Sequence, residues 1–398
     1  MSAVTPLTPT EETAAGMARV SLLGFDPLLF IAAFGLVGCS LLTLHGAATP
    51  YFYEHQAMFA GVGLVLALVI SRFDYSRLRE YRHVLYGIVI FANLAVFAVH
   101  TAPSAATGQA TRWIPLPFFQ FQPSEFGKVL LIVALAGFMV DRGRRLYERR
   151  TTALIMLLAL IPAMIVIKQP DLGTGLVYVI IAAAVLFFAG TNWKQITALA
   201  TLFVVAIALV LTVAPNVGIN VLKSYQKQRL TTFLDPPRTC GPNDATCYQL
   251  NQSLIAIGSG EKTGRGVGGA TQAKFNFIPN DQDDFIFSVV GETYGFAGAA
   301  LVLSLYALLI WRTLRILTMS KNLFGTLIAG GILAMLMFQV FLNVGMTIGI
   351  MPVTGVPLPL LSYGGSSMIV TFLAIGLLQS IHAQARIAAS TKARALLI

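Results

Sequence analysis

The chain has 398 residues, 56% of them hydrophobic and 11% charged, with a mean hydropathy of +0.75, far from the roughly 25% charged usage of soluble domains. That composition excludes a water-soluble enzyme, a nucleic-acid reader and a disordered scaffold. The net charge of +10 does not restore nucleic acid as a partner, because the basic residues sit in short clusters between apolar runs, as topology signals and anionic-lipid contacts do.

A span needs about 20 apolar residues. Apolar runs predict ten transmembrane helices, near 27–45, 56–73, 83–100, 123–141, 152–168, 174–190, 196–214, 284–310, 323–350 and 364–383. The expected fold is an all-α membrane bundle with one long extracytoplasmic loop, 215–283. Residues 1–26 read as a cytoplasmic tail, since the polar opening from Ser2 to Glu12 has neither a basic n-region nor a cleavage site. Residues 27–383 read as the polytopic domain and 384–398 as a second cytoplasmic tail. With the N-terminus inside, the short inner segments hold seventeen Lys and Arg residues, and the short outer loops hold Arg112 and Lys168. The positive-inside rule demands this asymmetry. Cys240 and Cys247 lie seven apart in the outer loop; they admit a small disulfide ring or two free thiols, and no CxxC zinc pattern is present.

Ionisable groups at the ends of spans are expensive and point to function. Glu125 and Lys128 open the fourth helix three residues apart, on one face; they form either a packing ion pair or part of a site. Asp171, before the sixth helix, reads as a helix cap or a site carboxylate. Arg112, on an outer loop beside Trp113, is a phosphate-site candidate. Within the long loop, Lys223, Lys227 and Arg229 come first, then Lys262, Arg265 and Lys274 among six glycines. Glycines let backbone amides approach an anion and cations favour diphosphate, whereas a solvated loop is the plainer reading. GSGEKTG is not a P-loop, because no Gly precedes Lys262.

Asp281, Asp283 and Asp284 precede an apolar run. Asp284 is therefore expected at the water–lipid boundary, where desolvation makes a carboxylate a better proton acceptor; a helix cap or cation site is the alternative. Glu292, about two turns on, is expected to face the bundle interior. Between the ninth and tenth spans, prolines and glycines break the backbone at membrane depth, which is tolerated inside protein or at a wet cavity. Thr354, Ser362 and Tyr363 would supply donors there or only pack the loop.

FQPSEFGK (121–128), QPDLGTG (169–175), YQKQRL (225–230) with LDP (234–236), the 279–287 stretch PNDQDDFIF and GIMPVTGVPLPLLSYGGSS (349–367) occur in the order seen in the SEDS membrane proteins of bacteria. The chain resembles that family over about residues 27–383, and its PVTGVPLP run looks like the elongation branch more than the division branch. The resemblance implies a ten-helix bundle with an outer catalytic cavity and a peptidoglycan glycosyltransferase acting on lipid II. Asp284 matches the family's essential aspartate, Glu125 and Lys128 its QPSExxK residues, and Asp171 its PDLGT aspartate. The usual Pro-Glu-x-His-Thr before the catalytic aspartate is Pro279-Asn280-Asp281-Gln282-Asp283 here, so the roles of that Glu and His do not carry over. Gln109 likewise stands where a Gly is usual. The implied reaction has Asp284 as base, undecaprenyl diphosphate as leaving group, and Arg112, Lys128, Arg229 and Lys262 as candidate cations. It calls for no cofactor and leaves the need for a divalent cation open. The implied partner is a class B penicillin-binding protein transpeptidase. A lipid-linked precursor flippase and a non-catalytic scaffold are the rival readings.

Overall fold

The computed structural model describes residues 25–47, 50–98, 112–115, 120–145, 147–212, 245–275, 277–278 and 282–395. Ten apolar helices correspond one for one to the predicted spans. They are α1 (Pro27–Ala47), α2 (Pro50–Arg72), α3 (Arg82–Ala98), α4 (Pro123–Asp141), α5 (Arg149–Lys168), α6 (Leu172–Phe188) and α7 (Trp193–Thr212), then α11 (Ile286–Met319), α12 (Leu323–Thr347) and α13 (Gly365–Ala395). Seven are long and apolar enough to cross a membrane, and three are shorter apolar helices. The long segment between α7 and α11 contributes α8 (Ala245–Ser259) and two single-turn helices, α9 (Gly266–Gly269) and α10 (Thr271–Lys274). A two-stranded antiparallel ribbon, Ile114–Pro115 with Gln120–Phe121, precedes α4.

Apolar side chains in a bilayer gain little by leaving lipid, so the helices associate through close packing and polar contacts. α4, α12 and α13 form the buried centre: their spans are 78%, 72% and 94% buried, against 28% for the peripheral α2. α13 lies along α2, where a Cβ at Gly376 would come within 2.7 Å of the Ala67 carbonyl oxygen. α12 packs on α4, α6 and α11, and α1 flanks α11.

The basic segments converge on one end of the bundle. Arg79 and Arg82 both pair with Asp141 at the end of α4, at 2.8 and 2.6 Å. Tyr75 donates to Asn322 Oδ1, Gln384 to Asp74, and Arg312 to Asp26 Oδ2 at 2.8 and 2.5 Å. The opposite end holds residues 122–128, 171, 282–285 and 343–366.

Several boundaries differ from expectation. α2 starts at Pro50 rather than 56, because proline suits a first helical turn. α13 continues to Ala395 through residues read as a tail. α11 runs to Met319 and so contains Arg312 and Arg315, which the charge pattern had placed in a loop; the buried Asp26 carboxylate compensates Arg312. α11 also kinks at Gly295 (φ 63°, ψ −159°). The stretch 296–319 alone rises about 36 Å, enough for one crossing. The predicted span from 284 is therefore a short helix, 286–294, followed by the crossing proper.

Candidate active site

Two polar groups sit at the end away from the Asp141 and Asp26 ion pairs, joined by the irregular 348–364 segment. The first is built on the start of α4 and the start of α6. Pro123 occupies the first turn of α4, and one turn later Glu125 Oε2 meets Lys128 Nζ at 2.6 Å, with both side chains 2% exposed. The expected pair is formed, and Glu125 Oε1 is left buried without a hydrogen bond among the described residues. Asp171 caps α6, its Oδ1 accepting from Thr174 N at 3.1 Å. Its Oδ2 faces Gln122 Nε2 at 3.2 Å and Ser124 Oγ at 3.4 Å. Cap and site carboxylate are thus one residue, tying α6 to the α4 motif. Tyr178 donates to Ser124 O at 2.9 Å. Arg112 donates to Pro170 O at 2.5 Å, which places its guanidinium beside this group.

The second group is the turn 282–285. Asp284 is half-buried there and Phe285 is buried. Asn343, in the last turns of α12 and fully buried, donates through Nδ2 to Asp284 O at 2.9 Å and to Val356 O at 2.8 Å. Tyr363 N donates to Gln282 O at 2.9 Å, so the turn is held from two sides.

Val356 completes the link. A Cβ at Gly173, between Asp171 and Thr174, would overlap Val356 Cγ2; the absence of a side chain there seats the 354–356 segment on the start of α6. On the other flank, Ser366 Oγ accepts from Gln122 N at 3.0 Å and donates to Gln120 O at 3.0 Å. Ser362 is buried, and its Oγ accepts from Leu358 N at 2.8 Å, so it holds the loop's shape. Thr354 Oγ1 is buried with no partner among the described residues. Tyr363 stands edge-on to Phe52. Burial, then the neighbouring Tyr51 and Asp283, pushes its phenol up to about 12, so it stays a proton-bearing donor at neutral pH.

The glycine-rich loop packs against α11. Gly260 and Gly264 press their backbones against residues 291–295 of α11, where any Cβ would overlap carbonyl oxygens. Glu261 O and Lys262 O accept from Phe296 N and Ala297 N at 2.9 and 3.1 Å. These are the first amides after the kink, which a helix start leaves unsatisfied, so the loop caps the second half of α11. The Lys262 side chain is exposed. Glu292 is fully buried as expected, and it accepts from Gln272 N at 2.9 Å. Cys247 is disulfide-bonded and Cys39 is a free thiol. Arg229, Lys223, Lys227, Cys240, Asp281 and Gln109 lie outside the described residues.

Asn343, Gln122 and Ser366 escaped the sequence reading. A signal for Asn343 existed, since it and Gln339 are the two side-chain amides in the apolar run of α12. Gln122 and Ser366 stand inside motifs that had been read for their charged members and glycines.

Residues 18–387 match the family described as cell cycle protein FtsW/RodA/SpoVE. The chain is 35% identical over 362 residues to the peptidoglycan glycosyltransferase MrdB of Escherichia coli K12, covering 90% of this chain and 93% of that one. It is 31% identical to the peptidoglycan glycosyltransferase RodA of Treponema pallidum, over 90% and 98% of the two chains. A chain solved in a peptidoglycan synthase complex superposes with a TM-score of 0.77 at 32% identity, over 91% of this chain and 99% of that one. The crystal structure of Thermus thermophilus RodA gives 0.64 at 29% identity, over 91% and 97%. With its helices in the expected order and its whole membrane domain matched, the chain belongs to the FtsW/RodA/SpoVE family of multi-pass membrane proteins.

Proposed function

We propose that this protein is a peptidoglycan glycosyltransferase that polymerises lipid II on the outer face of the plasma membrane during elongation, with both termini cytoplasmic. The observation that carries the reading is the continuous path from Asp284 through Asn343 and Val356 to the Gly173–Asp171 turn. It holds the main chain of a half-buried aspartate relative to a buried group that contains a lysine and a carboxylate.

In this reading the acceptor's 4-hydroxyl gives its proton to Asp284 as its oxygen attacks the anomeric carbon of a MurNAc linked to undecaprenyl diphosphate. The bond to the diphosphate breaks with inversion and a β-1,4 link forms. One base suffices, and cations serve where diphosphate charge develops. The neighbourhood of Lys128 and Arg112, both tied to the Asp171 group, supports these two for that task, whereas the capping position of Lys262 speaks for a structural part and Arg229 stays a candidate on sequence grounds. Glu125 Oε1 and Thr354 Oγ1, each with hydrogen-bonding capacity to spare, are positioned to meet sugar or peptide-stem donors. The class B penicillin-binding protein named as partner by the resemblance would cross-link the product.

The purified protein incubated in detergent with labelled lipid II, without nucleotide, is expected to make polymer. Transfer of lipid II across a vesicle membrane with no polymer in either setting would instead support the flippase.

A further inference from the structure

At the bundle end opposite the proposed active site, a cavity of about 650 Å³ lies between the end of α4 and the start of α5, lined by Asp141, Arg142, Arg145, Glu148 and Arg150 with Val140 and Gly143. Its two carboxylates are already engaged. Asp141 is held by Arg79 and Arg82 from the α2–α3 connection, and Glu148 faces Arg145 at 3.7 Å. Arg142 and Arg150 have no ion pair among the described residues. Five arginines against two carboxylates leave the cavity strongly positive, with two guanidinium forks uncommitted, and such forks match phosphate oxygens in bidentate fashion.

The cavity's surroundings place it at the lipid headgroup level. Tyr147, next in sequence to the lining Glu148, and Trp193 are 71% and 66% exposed, and their two segments are tied by Gln195, which donates to Tyr147 O at 2.8 Å. Exposed Tyr and Trp at the ends of spans sit where acyl chains meet headgroups. The same first turn of α5 adds unsatisfied main-chain amides, since Glu148 makes no side-chain cap.

We propose that this cavity binds the phosphate of an anionic phospholipid from the leaflet at the arginine-rich end, with Arg142 and Arg150 as the principal ligands. Either a lipid headgroup or a free phosphate would satisfy the guanidinium forks; the flanking aromatic side chains favour the lipid. The site is independent of the Asp284 chemistry.

The test uses the full-length protein, delipidated in detergent, and native mass spectrometry with phosphatidylglycerol, phosphatidylcholine or inorganic phosphate added. Phosphatidylglycerol is expected to bind at least tenfold more tightly than phosphatidylcholine, and inorganic phosphate at equal concentration not to displace it. Arg142→Gln/Arg150→Gln should bring the two lipids within about twofold of each other, whereas Lys194→Gln and Asp284→Ala should keep the preference. Equal binding of the two lipids by the unaltered protein, or a preference that survives the double substitution, would overturn the proposal. Displacement by inorganic phosphate would overturn the lipid assignment. Should the double variant lose its fold, phosphatidylglycerol must still raise the unaltered protein's melting temperature more than phosphatidylcholine does, and an equal rise refutes the site.

Discussion

Lys128 and Glu125 are buried together, and a charge in that position persists only because its partner is 2.6 Å away. Lys128→Met should therefore strand the carboxylate and cost about 3–5 kcal/mol, whereas adding Glu125→Gln should recover most of that stability; thermal unfolding in detergent measures both. If the single and double variants melt alike, the pair is not electrostatically coupled. Asn343 carries a different kind of prediction. Its amide spends both hydrogens on main-chain carbonyls, one of them belonging to Asp284. Asn343→Leu keeps the branched shape in a somewhat larger side chain and removes both bonds, so kcat should fall on the order of tenfold, about 1.4 kcal/mol, with little change in KM. A proportional rise in KM with kcat intact would show that Asn343 shapes binding instead. Charged residues such as Glu125, Lys128 and Asp171 were legible in the sequence because a charge at a span end must be explained. Asn343 was not singled out, because an amide in an apolar helix reads as a tolerated polar residue until its two acceptors are seen.

At the scale of elements, the kink of α11 decides where the Asp284 turn sits. Gly295 has a backbone conformation that essentially only glycine adopts, and a Cβ there would meet Gly264 N and Gly260 O. Gly295→Ala should cost at least about 1–3 kcal/mol in backbone strain and lift the 260–264 loop off the helix. Faster protease cleavage at that loop is the expected sign, and unchanged cleavage would mean the kink absorbs a side chain. Nothing in the local sequence distinguishes Gly295 from its glycine neighbours 291 and 298; the partner that makes it necessary lies about thirty residues upstream. The same limit explains the misplaced end of this span. Arg312 and Arg315 look like a loop by charge, but Arg312 is paired with Asp26, 286 residues away. Hydropathy finds a helix from its own residues, while kinks and compensated charges depend on contacts distant in sequence.

Across the whole molecule, the ten predicted spans occur in order, and the contacts among residues 26, 74–82, 141, 312 and 384 gather the basic connections at one end. The proposed orientation, with that end in the cytoplasm, rests on charge asymmetry. In intact cells a Lys262→Cys variant should react with an impermeant thiol reagent, and an Arg145→Cys variant should react only after permeabilisation; the reverse pattern would invert the topology and move the proposed site to the wrong face. The most direct measurement remains polymer formation from labelled lipid II by the purified protein and its Asp284→Asn variant, each shown to be folded by its melting temperature. Long glycan strands are expected from the first and none from the second, whereas undiminished polymer from a folded Asp284→Asn protein would show that Asp284 is not the base.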